Sequence, residues 1–163
     1  DSRLEGWLGQ PKRMSELTHI DAEGEARMVD VSAKPEQNRE AMAHGEIRLA
    51  EATLDSIESG HTAKGNVLAT ARLAGIMAAK KTAELIPLCH PLPITHAEVD
   101  FEFPESRDRI VITASARISA NTGVEMEALT AVSAAALTIY DMCKAIDKQM
   151  VISEICVTSK TKR

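Results

Sequence analysis

Two short segments of the sequence carry most of the side chains that could transfer protons or bind a charged ligand. Glu125 and Glu127 stand in the first segment, and Asp141 and Lys144 stand in the second. Carboxylates exchange protons at ring nitrogens and hydroxyl groups, and ammonium groups neutralise developing negative charge. Both segments fall within residues 122 to about 146, whose periodicity predicts one long helix. Their spacing along that helix therefore decides which of these groups can meet.

The two glutamates lie at the start of the predicted helix, where a structural role is an open alternative. Thr122 and Glu125 fit a capping box, in which the Thr side chain binds a free backbone N–H and the Glu side chain reaches back. Glu127 suits the positive end of the helix dipole. Since the glutamates are two residues apart, they point to roughly opposite sides of a helix. They share a pocket only if the helix starts after Glu125 or if the pocket surrounds the helix end.

Asp141 and Lys144 lie near the other end of the same predicted helix. Asp141 follows Glu127 by fourteen positions, so the two carboxylates lie on nearly one face but about 20 Å apart. Asp141 and Lys144 are neighbours at i and i+3, and a surface ion pair is the alternative to a functional role. If both helix ends serve one reaction, the site needs two chains. Two antiparallel copies of the helix would bring Glu127 of one copy near Asp141 of the other.

His90 and Lys64 are two further candidates, and each is presented by a predicted loop. His90 stands among three prolines that restrict the backbone, and a purely structural histidine is an equal alternative. Lys64 precedes Gly65 at the start of a predicted helix, where backbone N–H groups and an ammonium group suit a phosphate. The full phosphate-loop pattern GxxxxGK[ST] is missing, so a solvated loop lysine remains the alternative.

The cysteines and the overall composition exclude several classes of protein. Cys89, Cys143 and Cys156 are odd in number and lack CxxC spacing, which predicts no disulfide framework, no zinc site and a reducing, cytoplasmic location. Cys143 and Cys156 are predicted to be buried small apolar residues. The net charge of -5 does not favour nucleic acid, and no apolar run reaches the ~20 residues of a membrane span. Any anionic ligand must therefore meet a local cluster of Lys, Arg or His.

The elements that must position these side chains alternate in type along the chain. The predicted order is a short strand near residues 47–49, a helical turn at 53–59, a helix at 66–84, strands at 97–103 and 110–118, a helix at 122–146 and a strand at 151–157. Leaving the helical turn aside, the order strand, helix, strand, strand, helix, strand predicts an α+β fold. It is the ferredoxin-like split βαβ sandwich, an antiparallel sheet with two long helices on one face.

Two details of this prediction concern packing. The helix at 66–84 is predicted to bury an apolar face, which consists of Leu68, Ala71, Leu73, Ile76, Ala79 and Leu85. The many alanines at 128–136 permit close packing of the second long helix. Burial of the open sheet face, or of the helices, against other copies of the chain is a hypothesis.

The ends of the chain are predicted separately. Residues 1–13 lack periodicity and read as a tail, and Met14 is a candidate native start, with the earlier residues either added or part of an alternative start. The sequence lacks the apolar segment of a signal peptide near its first residue. We predict one catalytic domain over residues 14–163, a length that fits a single domain.

Several long sequence motifs resemble those of one protein family. They are MVDVS at 28–32, KGNVLATAR at 64–72, AGI at 74–76, LIPLCHPL at 85–92, GVEMEALT at 123–130 and LTIYDMCKA at 137–145. In this order they resemble the cyclic pyranopterin monophosphate synthase family, also called molybdenum cofactor biosynthesis protein C. The resemblance covers about residues 17–157, which is most of the chain.

The resemblance implies a lyase that converts 3′,8-cyclo-7,8-dihydro-GTP to cyclic pyranopterin monophosphate and diphosphate. It implies a ferredoxin-like fold and a homohexamer, a trimer of dimers, with active sites at subunit interfaces. No cofactor is implied, and Mg²⁺ only accompanies the substrate triphosphate. Family members commonly end in a glycine-rich basic tail, whereas this chain ends in TSKTKR. If that tail helps to cover the site, this chain is expected to be truncated or less active.

The family's functional positions fall within the matched words. They imply Lys64, Asp141 and Lys144 as catalytic residues, and His90, Glu125, Glu127, Cys89 and Met126 as substrate-binding residues, with no metal ligands. For Lys64, Glu125 and Asp141 the resemblance favours the functional interpretation over the structural one. Three other hypotheses remain distinguishable by experiment: a nucleotide-sensing module without turnover, a structural assembly subunit, and a cyclase that consumes plain GTP.

Overall fold

The structure, a computed structural model, describes residues 18–163. The predicted tail at 1–13 and the boundary at Met14 lie outside the described residues. The elements are, in order, β1 (Gln37–Arg48), α1 (Glu51–Glu58), α2 (Val67–Lys80), α3 (Thr82–Leu85), β2 (His96–Glu102), β3 (Arg109–Ala120), α4 (Glu125–Cys143) and β4 (Val151–Lys162). Within this part of the chain, every helix is too short or too polar to cross a membrane.

The four strands form one sheet in the order β2-β3-β1-β4, and every neighbouring pair is antiparallel. Helices α2 and α4 pack against each other and against one face of this sheet. This arrangement confirms the predicted α+β, ferredoxin-like fold. The core lies between that face and the two helices, where alternate residues of the central strands are buried, such as Ala43 and Ile47 of β1 and Ile110 and Ile112 of β3.

Strand β1 is much longer than predicted. The sequence predicted a short strand near Ile47, whereas β1 starts at Gln37 and pairs along its whole length with β3. Its inward positions carry small residues, so the apolar alternation is weak. Gly45 is one of them, and a Cβ atom there would collide with the Val132 side chain of α4. The helix therefore approaches β1 closely, which only small residues allow.

The predicted helix at 66–84 is divided into α2 and α3. Asn66 begins α2 as predicted, because its side chain accepts a hydrogen bond of 3.0 Å from the N–H of Ala69. The division follows Lys80, where the Thr82 hydroxyl donates to the backbone carbonyls of Ala78 and Ala79. These side-chain hydrogen bonds occupy the last carbonyls of α2 at the point where the chain bends.

The inward face of α2 also differs from the prediction. The predicted members Leu73 and Leu85 are 58% and 60% exposed, so their assignment to the core is wrong. Gly75 faces α4 in their place, and a Cβ atom there would lie 2.9 Å from the Ala131 carbonyl oxygen and 2.9 Å from Val99 Cγ2. The alanines of α4 permit this close approach, as predicted. The contact fixes the position of α4, which carries both segments of functional candidates.

We predict that Gly75→Ala lowers the free energy of unfolding. A Gly to Ala change within a helix normally stabilises by about 1 kcal/mol, but here the new methyl group overlaps backbone, and overpacking costs about 1–3 kcal/mol. Urea denaturation of Gly75→Ala measures the net effect of these two contributions on the free energy of unfolding. Ala69→Gly, at an exposed position of α2, gives the helix-propensity cost alone. A more stable Gly75→Ala protein would contradict the close packing.

Candidate active site

A cavity of about 760 Å³ opens beside the first turn of α4, and we call it the large cavity. Three segments surround it: the arm before β1 (residues 18–34), the loop after α3 (residues 86–92) and the first turn of α4 with the residues before it (122–127). Most of its wall is apolar, with Val29, Leu88 and Leu92 among the contributors. Its size and its mixture of apolar wall and few polar groups are typical of small-molecule sites.

All five predicted substrate-binding residues line the large cavity, namely Cys89, His90, Glu125, Met126 and Glu127. Helix α4 begins at Glu125, and no side chain caps it, so the predicted capping box of Thr122 and Glu125 is wrong. The cavity surrounds the helix end, which is the second of the two conditions under which both glutamates share one site. Residues so close to a helix start can reach the cavity from different sides of the axis.

Glu127 is the most buried acid of the site. The residue is 2% exposed, and its Oε2 has no hydrogen-bond partner among the described residues. Burial raises the pKa of Glu127 to about 6, and the negative charge of Glu125 adds to this effect. A carboxyl group with such a pKa can gain and lose a proton near neutral pH.

Glu125 has the opposite electrostatic surroundings. Burial alone would raise its pKa, but a hydrogen bond from the Lys160 ammonium group and the charge of Arg39 hold the pKa below its ordinary value. The Lys160 Nζ and Glu125 Oε1 atoms are 2.7 Å apart. A Cβ atom at Gly123 would collide with the Glu125 carboxylate, so a larger residue there would displace this carboxylate from its present position. Glu125 therefore remains ionised while Glu127 titrates near neutrality.

The sequence analysis missed the basic residues that gather around Glu125. A smaller recess of about 110 Å³ adjoins the carboxylate and is lined by Arg39, Lys160 and Lys162, while Lys34 lines the large cavity. This is the kind of local cationic cluster that an anionic ligand requires. The basic run at the end of the sequence was a usable signal for Lys160. Arg39 carries no such signal, because only the β1–β3 pairing brings it to Ala120, whose carbonyl accepts from its Nε at 3.0 Å.

His90 and Cys89 connect the cavity to the arm before β1. The His90 Nε2 lies 2.6 Å from the Val29 carbonyl oxygen. Since a carbonyl can only accept, Nε2 carries a hydrogen and donates it to Val29. Next to His90, burial and the charge of Glu127 raise the pKa of the Cys89 thiol. A thiol with a raised pKa is a poor nucleophile, so these surroundings do not favour covalent chemistry at Cys89.

The three predicted catalytic residues form a separate cluster at the other end of α4, and we call it the lysine cluster. The Lys64 Nζ lies 2.8 Å from Asp141 Oδ2, and the Lys144 Nζ lies 2.8 Å from Asp141 Oδ1. The hydrogen bonds from Lys144 and Lys64 lower the pKa of Asp141 to about 2. Asp141 in turn raises the pKa of Lys144. These shifts favour the charged forms of Asp141 and Lys144, and all three side chains are about half exposed.

The lysine cluster and the large cavity do not meet within one chain. Lys64, Asp141 and Lys144 are absent from the lining of the large cavity. Fourteen residues of straight helix separate Glu127 from Asp141, a distance of about 20 Å. The structure thus sorts the eight predicted site residues into two groups, one at each end of α4.

The remaining predictions concern metals and the other cysteines. Within residues 18–163, no three His, Cys, Asp or Glu side chains lie close enough to hold a metal ion. Cys143 is buried as predicted, and burial raises the pKa of its thiol. Cys156 is only half-buried, so the prediction for it is wrong. It lies on β4, which is an edge strand of the sheet that the described residues form.

Fold and cavity together define a class of protein: a ferredoxin-like α+β chain with a small-molecule cavity at the head of its second long helix. A sequence profile of the MoaC family matches residues 28–163. The chain belongs to the MoaC family.

Its curated relatives agree with this assignment. The cyclic pyranopterin monophosphate synthase of Roseiflexus sp. (strain RS-1) is 57% identical over 148 residues, which are 91% of this chain and 94% of that protein. The protein of the same name from Desulfitobacterium hafniense is 60% identical and covers 90% of this chain and 89% of its own length. A third, from Novosphingobium aromaticivorans, is 59% identical, with 90% and 92% covered.

We predict that Lys160→Ala raises the pKa of Glu125, because loss of the Lys160 hydrogen bond leaves only the charge of Arg39 and the backbone N–H of Glu125 to oppose the effect of burial. Carboxyl carbon chemical shifts followed against pH measure this change. Lys162→Ala is the matched control, since Lys162 lies on the same strand and forms no ion pair among the described residues. An unchanged Glu125 pKa in Lys160→Ala would show that Lys160 does not hold the carboxylate.

Proposed function

We propose that this chain is a cyclic pyranopterin monophosphate synthase. It converts 3′,8-cyclo-7,8-dihydro-GTP to cyclic pyranopterin monophosphate and diphosphate, as a phosphorus–oxygen lyase of molybdenum cofactor biosynthesis. The observation that carries the proposal is the 55–60% identity to relatives of that name over about nine-tenths of the chain. The gathering of five expected substrate-binding residues around one cavity supports it.

The reaction needs two kinds of help, and the large cavity is suited to both. The dihydropurine ring must open and the pterin ring must close, which requires proton exchange at nitrogen and oxygen atoms. Glu127, with a pKa of about 6, is suited to that exchange. A sugar hydroxyl must also attack the α-phosphorus, and cations must neutralise the phosphate charge. Arg39 and Lys160, beside Glu125, are placed to meet an anionic group at the cavity edge.

We assign further roles in charge stabilisation and proton transfer to the lysine cluster and to His90. Lys64 and Lys144 each pair with the Asp141 carboxylate, and both side chains are suited to stabilise developing negative charge or donate a proton. Asp141 stays ionised and holds both lysines in place. The hydrogen bond from Nε2 to Val29 leaves Nδ1 of His90 for the substrate, which suits this side chain to orient a substrate hydroxyl or carry a proton.

We further propose that one active site combines two copies of the chain. The lysine cluster of one copy would complete the large cavity of another, within a homohexamer that is a trimer of dimers. Three exposed apolar side chains support burial of helix surface against a second copy: Leu73, Met77 and Leu137 are 58%, 48% and 61% exposed. Large apolar groups on a helix surface are typical of association sites.

The proposal also covers the extent of the domain, the metal ion and the location of the protein in the cell. Residues 14–163 form one catalytic domain, and Mg²⁺ belongs to the triphosphate substrate. The three free cysteines support a cytoplasmic location, because thiols persist in a reducing compartment.

The first test supplies purified protein with 3′,8-cyclo-7,8-dihydro-GTP and measures cyclic pyranopterin monophosphate and diphosphate together. We expect equal amounts of both products and none from plain GTP. Lys64→Ala and Lys144→Ala should each lower kcat by at least about 100-fold, because each removes a charge next to the reacting groups. Lys148→Ala, an exposed lysine outside both groups, is the control. Binding without any product would favour a nucleotide sensor, and product from plain GTP a different cyclase.

A second test addresses the shared site. Lys144→Ala and Glu127→Gln chains, each inactive alone, are produced together in one cell. If a site takes one group from each chain, mixed dimers contain one intact site, and activity should return to roughly a quarter of the wild-type level. Mixing Lys144→Ala with Lys64→Ala chains is the control, since both changes fall in the same cluster. No recovery in the first mixture would contradict a site built from two chains.

A further inference from the structure

A second cavity, of about 340 Å³, lies behind Glu127, and we call it the rear cavity. It is formed by the end of α2, by α3 and by the proline segment after the His90 loop. The residues used below that line it are Lys80, Lys81, Ala83, Glu84 and Glu127. Among residues 18–163, only Leu92 and Glu127 line both the rear cavity and the large cavity. Of these two side chains, only Glu127 can carry a proton.

The state of the Glu127 side chain is unusual for a structural residue. It is 2% exposed, yet its Oε2 has no hydrogen-bond partner among the described residues. Burying a carboxyl oxygen without a hydrogen-bond partner destabilises the folded protein by the order of 1–3 kcal/mol or more. The polar group does not improve the packing in return. Such a group is expected where chemistry and not folding requires it.

We propose that Glu127 relays protons between the two cavities, exchanging them with water in the rear cavity while the substrate fills the large cavity. The identity of that substrate rests on the proposed function. In one exchange, an N–H or O–H bond of the substrate breaks and an O–H bond forms on the carboxylate. The same O–H bond then breaks on the rear side and the proton passes to water or a buffer base. The reverse sequence delivers a proton to the substrate.

The charges around Glu127 suit this role. Besides Glu127, the ionisable groups that line the two cavities are Glu125 from α4, Cys89 and His90 from the loop after α3, His19 and Lys34 from the arm before β1, Lys80 and Lys81 from the end of α2 and its following residue, and Glu84 from α3. The two lysines make the rear opening attractive to hydroxide and to anionic buffer bases, which accept protons. The pKa of Glu127, raised by burial to about 6, lets the carboxyl exchange near neutral pH.

The relay is tested by filling the rear cavity. Ala83→Phe places an aromatic ring in its lining, and Ala52→Phe places the same ring on the exposed surface of α1, away from both cavities. The first measurement needs no substrate: the Glu127 carboxyl carbon shift is titrated against pH and assigned by its loss in Glu127→Gln. We expect Ala83→Phe to raise the Glu127 pKa, because it excludes water from one side. An unchanged pKa, with the ring in place, overturns the relay.

The second measurement uses turnover. In Ala83→Phe we expect kcat to fall about 10-fold or more at unchanged KM, with a larger solvent deuterium isotope effect, because proton exchange becomes slow. Ala52→Phe should match the wild type. An Ala83→Phe protein with normal kcat and an unchanged isotope effect overturns the relay.

Circular dichroism and size-exclusion chromatography establish that the variants are folded, and Ala83→Leu replaces Ala83→Phe if the ring prevents folding. Failure of the proposed function gives a different result from failure of the relay. In that case the wild type and Ala52→Phe also make no product. The pKa titration alone then decides: a raised pKa in the filled variant supports exchange through the rear cavity, and an unchanged pKa overturns it.

Discussion

The close contact between α2 and α4 is the constraint on which the rest of the structure depends. Gly75 leaves room for the Ala131 backbone, and a single added Cβ atom would overlap it. The two helices therefore lie against the sheet in one defined position, with α4 rigid along its 19 residues. Because α4 carries functional candidates at both ends, this packing also sets the distance between the large cavity and the lysine cluster. The relative positions of these two groups therefore depend on the contact between α2 and α4.

Two glutamates that are two positions apart in the chain have different pKa values because their surroundings differ. Glu125 and Glu127 line the same cavity, but only Glu125 has a cation within hydrogen-bond distance. Lys160 offsets the burial of Glu125, whereas only a hydrogen bond from its own backbone N–H opposes the effect of burial on the pKa of Glu127. One acid therefore stays ionised and the other titrates at about 6. Pairs of acids whose environments separate their pKa values are a recurring basis for proton transfer in enzymes.

The lysine cluster differs from the two glutamates because its charged groups are exposed to solvent. Lys64, Asp141 and Lys144 are about half exposed, and solvent screens surface ion pairs, so this cluster contributes little to folding. Its value lies in holding two ammonium groups a fixed distance apart at the end of a rigid helix. The cluster lies about 20 Å from the cavity of its own chain, and the proposed two-chain site would bring it to the cavity of another copy. The exposed leucines of α2 and α4 are surfaces that such an association would bury.

The sequence by itself determined the ferredoxin-like order of elements, because strands β2 and β3 alternate clearly and Asn66 and Gly60 mark local helix ends through interactions within a few residues. Sequence words also identified all eight candidate site residues. The tertiary structure alone decided the length of β1, whose inward alanines and glycine carry little hydrophobic pattern, and the exposure of Leu73. It alone brought Lys160 to Glu125 and left Glu127 between two cavities. Those contacts join residues distant in sequence, and a pKa depends on what surrounds a group and not on its neighbours along the chain.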